Sequence, residues 1–300
     1  MTLITKNLSR QFIKDVKLPP APRRTRALTD APPLELKQAE AQSLVVGSGL
    51  IVAAAAVPVQ TREDIINCTL FAQLAASGAV GDPTQVGQWY DAYFRTLTAL
   101  GWAQSDTRFE KYQFKSKDGE AHQAIIGVLS VLLGPAATAL VVVKTALDAL
   151  QSMNENSKWI TLFDRESKTA TSARFQVATA EVDTNGLLQI ALAAFHLEAT
   201  STLTQVLFFK FSSSSTSLNY AAGKASIYEA ALKDQRQAIA GRLAAYRAAY
   251  VGQIKFPPAP DGGTRGLRRA TTRARRGSRV EKAGRGKALL RGLRDLLETR

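Results

Sequence analysis

Near the start of the chain, apolar positions recur at every fourth place. Ile4, Leu8, Phe12 and Val16 make one stripe, while Lys6, Arg10, Lys14 and Lys17 occupy other faces. That spacing predicts a short basic amphipathic helix. Leu18-Pro19-Pro20 ends it, because proline has no N–H to donate and pushes the preceding residue out of the helical region. The stripe has two outlets: a partner groove or anionic membrane, or the protein's own body, which is the expected one. Residues 19–33 then read as an extended linker with the basic knot Arg23-Arg24-Thr25-Arg26.

A body begins near Leu34. Residues 35–42 suggest a short helical stretch, and 43–59 a strongly apolar one. Thr61-Arg62-Glu63-Asp64 has the hydroxyl-then-carboxylate spacing of a capping box, which predicts a helix over 62–76. Asp82-Pro83 is a second start signal, with Asp82 as cap and Pro83 as first helical residue. The helix over 84–100 carries Trp89, Tyr90, Tyr93, Phe94 and Leu97, and Gly101 stops it. Residues 102–121 are mixed and polar. The run 124–143 carries no charge and is broken by Gly134-Pro135, so one helix is expected to end at 133 and another to run from 135 to about 153.

The period then falls from 3.6 to two. Residues 159–163, 173–182, 187–198 and 204–212 read as strands, and Asp183-Thr184-Asn185-Gly186 as a hairpin turn. A long helix over 222–253 closes the body. Strands grouped after helices predict an α+β fold: a helical N-terminal half, an antiparallel four-stranded meander with helices on one face, a long C-terminal helix and flexible basic arms. The expected divisions are a basic arm and linker (1–33), a globular body (34–255) and an Arg-rich arm (256–300).

Charge changes the picture more than composition does. The chain of 300 residues carries a formal net charge of +14. Residues 256–300 hold 13 Lys/Arg against 4 Asp/Glu, and residues 1–30 hold 7 against 2, so the body between them is neutral. Two cationic arms seek anionic polymers or surfaces. In the C-terminal arm Arg268, Arg269, Arg273, Arg275, Arg276 and Arg279 are the candidate phosphate-binding residues, since guanidinium forks match phosphate oxygens two at a time. With no aromatic after Phe256, stacking on bases is excluded and binding is expected to lack sequence specificity. Leu289, Leu290, Leu293, Leu296 and Leu297 add a short apolar stripe at the end.

Catalytic signals are sparse. Cys68 is the single cysteine, and His122 and His196 are the only histidines, which excludes a disulfide framework and a thiolate–imidazole metal cluster. No Walker loop, HExxH or Gly-x-Ser-x-Gly elbow occurs. Gly47-Ser48-Gly49 opens a dinucleotide fingerprint, but Val52 stands at the third glycine position. The expectation is a non-enzymatic structural or assembly protein, without cofactor or metal. It would be cytoplasmic because no signal peptide is evident, would self-associate, and would bind nucleic acid or another polyanion through its arms. The alternative is a membrane-active, pore-forming or toxin-like protein. It would insert the 124–143 run, whose length matches a bilayer, or the 173–198 hairpin, with the arms drawn to an anionic membrane.

Overall fold

A computed structural model describes residues 3–22, 34–114, 118–153, 157–203, 205–208, 210–212 and 215–254. Helix α1 (Leu3–Asp15) precedes a hairpin of β1 (Gln42–Val46) and β2 (Gly49–Ala53). Helices α2 (Val59–Ala79) and α3 (Val86–Ala99) follow, then the short strands β3 (Trp102–Gln104), β4 (Glu110–Lys111) and β5 (Asp118–Glu120). Next come helices α4 (Ala121–Leu133), α5 (Thr138–Ser152) and α6 (Lys158–Ser167), and the long strands β6 (Ser172–Val182) and β7 (Leu188–Ala199). The last described elements are β8 (Lys210–Ser212), β9 (Thr216–Ile227), α7 (Glu229–Lys233), α8 (Arg236–Leu243), α9 (Arg247–Tyr250) and β10 (Val251–Ile254).

The strands make an eight-stranded mixed sheet in the order β10-β1-β2-β6-β7-β9-β3, with β4 also on β9, while β5 and β8 pair separately. Its neighbours are antiparallel except β2 and β6, which run parallel. Alternate residues of the same strands feed two separate cores. Leu44, Val46, Ile51, Ala178, Ala180 and Leu192 face α2, α3 and α8. Val45, Leu50, Val52, Phe175, Val177 and Phe195 face α4, α5 and α6. The described residues therefore form three layers, helix on sheet on helix.

The α+β class holds, but the predicted meander and its single helical face do not. The apolar stretch 43–59 opens with the β1–β2 strand hairpin, and β2 joins β6 in parallel. Buried on both faces, the two strands show no period of two in sequence. The predicted strand over 159–163 is helix α6; an apolar run of five residues carries no period that separates helix from strand. Of the predicted strand over 204–212, only β8 forms among the described residues. The long helix over 222–253 is replaced by the end of β9, three short helices and β10. An alanine-rich segment satisfies either pattern, and pairing with β7 and β1 decides it. The capping box is not used: Thr61 lies inside α2, which Pro58 precedes. Asp82 does not cap α3 directly but accepts from the backbone N–H and hydroxyl of Thr84. The 183–186 turn and the break at Gly134 fall where the sequence places them. The C-terminal arm lies outside the described residues.

The N-terminal helix docks on the body. Ile13 is buried in the first core, and the Arg242 guanidinium on α8 donates to the carbonyls of Ile13, Lys14 and Val16. A cation thus meets the negative end of the α1 dipole. The Tyr246 hydroxyl adds a 2.6 Å bond to the carbonyl of Pro19.

Arg62 is the largest buried cation, 1% exposed. Its donors meet the carbonyls of Glu40, Ala54, Ala55 and Val57 and the Gln42 side-chain oxygen at 2.7–3.0 Å. Burial lowers its pKa from the usual arginine range, and Glu40 partly offsets this. Arg62→Ala strands several buried carbonyls, so we expect a loss of about 3–5 kcal/mol in urea unfolding. An equilibrium curve unchanged to within experimental scatter refutes this role.

Candidate functional site

The sequence-predicted arginines Arg268, Arg269, Arg273, Arg275, Arg276 and Arg279 lie outside the described residues. Other candidates are positioned by the fold. Gly47-Ser48-Gly49 is the tight turn of the β1–β2 hairpin, with Gly47 at φ +55°. Gln73 on α2 accepts from the Ser48 N–H at 3.1 Å and donates to the Val46 carbonyl at 3.0 Å. Ser48 Oγ donates to Gln176 Oε1 at 3.2 Å, and Gln176 Nε2 donates to the Tyr90 hydroxyl. That hydroxyl donates in turn to the Phe195 carbonyl at 2.7 Å. A buried polar chain occupies the turn where a phosphate would sit.

Cys68 is buried, and burial pushes its thiol up to about 12. His122 at the start of α4 lies 3.0 Å from Glu120. His196 stands on β7, 3.6 Å from Glu198; burial lowers its pKa, against the pull of that carboxylate. No cluster of three metal-ligating residues occurs among the described residues.

The feature that gathers several candidates is one end of the molecule. The uncharged run 124–143 folds as the α4–α5 hairpin, broken at Gly134. Its inner side fills the second core, yet Val131 is 89% and Val141 57% exposed. Pro135 and Ala136 between them are also exposed. Glu181 on β6 accepts from the Ala139 N–H at 3.0 Å, which pins the tip of this hairpin to the turn end of β6–β7. There Leu187 and Leu188 are 60% and 40% exposed. Two apolar tips, one helical and one of strands, thus share an end. No helix among the described residues is long and apolar enough to cross a membrane.

Beside Val131 opens a cavity of about 390 Å³ between α4 and the β4–β9 edge. Tyr112 and Tyr220 line it, with ring centroids 6.0 Å apart and planes at 76°. Burial raises both phenol pKa values, and Glu110, in hydrogen-bond contact at 3.4 Å, raises that of Tyr220 further. Asp106, whose pKa is lowered chiefly by the Arg108 backbone N–H, sits at the same opening. Sequence reasoning missed this site, having read 102–121 only as mixed and polar. The signal was Glu110-Lys111-Tyr112-Gln113-Phe114, where two aromatic rings stand either side of a polar residue, as on one face of an edge strand.

No family model and no curated protein matches the chain. Among solved structures, similarity is found to a delta-endotoxin at 11% identity and TM-score 0.38, covering 81% of this chain and 93% of the other. The Evf virulence factor is similar at 8% identity and TM-score 0.33, over 68% and 84%. Activated Cyt2Ba from Bacillus thuringiensis subsp. israelensis is similar at 12% and 0.29, over 45% and 78%. Likeness this low assigns nothing to this chain.

A thiol raised to about 12 stays protonated at pH 8. We therefore expect Ellman's reagent to leave Cys68 unmodified in native protein and to label it fully in guanidinium. Rapid native labelling contradicts its burial.

Proposed function

We propose that this protein is a non-enzymatic, membrane-active protein that engages phospholipid bilayers with its apolar end. The observation that carries this reading is the tip of the α4–α5 hairpin, where the uncharged run 124–143 displays Val131 and Val141 to solvent. Burying two such side chains in hydrocarbon contributes at most about 3–6 kcal/mol, at about 1.5–3 each. That is enough for reversible attachment and is reinforced by the Leu187–Leu188 tip. Electrostatics extends the reach: the arginines of 256–300 attract acidic headgroups at roughly 1 kcal/mol per residue near the surface.

Length decides how each element inserts. At 13 and 15 residues, α4 and α5 rise about 20 and 22 Å, short of a hydrocarbon core of about 30 Å. They suit one leaflet. Strands β6 and β7, at 11 and 12 residues, meet the roughly 9–11 that a spanning strand needs. The face that α4–α5 cover is apolar and carries the row Phe175, Phe195 and Tyr220; the other face carries Arg174, His196 and Asn219 towards one end and Ala178, Ala180 and Leu192 beyond them. Withdrawal of α4–α5 into lipid uncovers the apolar face, so attachment and insertion form one sequence.

Val131→Asp with Val141→Asp changes only exposed positions. We expect the melting temperature to hold while dye release from mixed phosphatidylcholine/phosphatidylglycerol vesicles falls at least tenfold. Release equal to that of the parent rejects the hairpin as the inserting element. Deleting 262–300 should slow release from acidic vesicles and flatten its dependence on salt. If deletion leaves release untouched but abolishes DNA retention, the arms serve nucleic acid instead.

A further inference from the structure

The cavity beside α4 has a chemistry that the apolar tip does not explain. Its walls are two tyrosine rings at nearly a right angle, their centroids 6.0 Å apart. The carboxylate of Glu110 stands next to the Tyr220 hydroxyl at 3.4 Å. Asp106 and Arg108 flank the opening, with guanidinium and carboxylate 3.3 Å apart. At Gly127 a side-chain carbon would come within 2.6 Å of the Tyr112 hydroxyl, so any larger residue there requires that ring to shift. Val131 closes the wall nearest the exposed tip.

Aromatic faces with a carboxylate nearby attract a cation that is too weakly hydrated to prefer water. A cation sits within about 6 Å of a ring centroid in such contacts, and both rings line the cavity with their centroids 6.0 Å apart. A quaternary ammonium fits better than a primary one, because its methyl groups also gain from the apolar wall of Val128 and Val131. The volume of about 390 Å³ accommodates a small headgroup and no macromolecule.

We propose that this cavity binds the choline headgroup of a phospholipid. The trimethylammonium lies in the corner of Tyr112 and Tyr220, Glu110 supplies the counter-charge, and Arg108 at the mouth meets the phosphate. The inference rests on the membrane reading for its source of ligand, and its position next to Val131 sets the headgroup beside the inserting tip.

Soluble phosphocholine is the probe, titrated into the full-length protein and followed by tyrosine ring NMR shifts. We expect saturable binding in the millimolar range or tighter, with phosphoethanolamine at least tenfold weaker. Glu110→Gln, an exposed and conservative change, and Tyr112→Ala should each weaken binding at least fivefold, and Glu110→Gln should leave the melting temperature unchanged. No saturable shift, or equal affinity for the two probes, overturns the proposal. Vesicle experiments separate it from the broader reading. If phosphatidylglycerol vesicles leak as fast as choline ones and phosphocholine does not compete, the headgroup site fails and membrane action stands. If phosphocholine binds as described and no vesicle leaks, the site stands and membrane action fails.

Discussion

One buried guanidinium decides where the first helical layer meets the sheet. Arg62 gathers carbonyls from the segment entering β1 and the segment leaving β2, so the open end of that hairpin is closed by a side chain of α2. Gln73, further along the same helix, closes the turn end. The two spacings agree. Eleven helical residues rise about 16 Å, and the five residues of β1 extend about 16 Å. Helix α2 is therefore fixed along the hairpin at both ends by polar groups that have no alternative partners once water is excluded. Networks of this kind fix a register more sharply than apolar packing does. The chain from Gln73 through Ser48 and Gln176 to Tyr90 carries that register across to β6 and α3.

What the sequence made legible follows from where the burial is one-sided. Helix α3, the break at Gly134 and the turn at 183–186 each have an exposed face or a special residue, and each is readable. Strands β1 and β2 are covered on both faces, so every position is apolar and no alternation survives. Residues 216–227 were lost for a related reason. Ala221, Ala222 and Ala225 are small enough for helix or strand, and the choice belongs to β7, which borders them along ten residue pairs. Strands β3 and β4, of three and two residues, have no pattern of their own and exist because β9 is there.

The candidate site divides in the same way. The apolar run was visible because it lacks charge, and its role as a hairpin followed from glycine and proline. Its solvent-facing valines were not visible, since exposure depends on what the sheet leaves uncovered. The tyrosine corner needed two segments more than a hundred residues apart in sequence, Tyr112 and Tyr220, to be brought together by β4–β9 pairing. The cysteine and the histidines, which draw the eye in a list of residues, turn out to be a core thiol and two rings beside carboxylates.

The outermost strand at one edge of the sheet is also the last part of the body to be made. Until Val251–Ile254 lies against β1, and until Arg242 and Tyr246 arrive to hold the first helix, both ends of the structure wait on a stretch that leaves the ribosome late. Until then β1 presents an unpartnered strand edge, the kind of surface through which incompletely folded proteins associate wrongly. The sheet thus stays open at that edge until its last strand arrives.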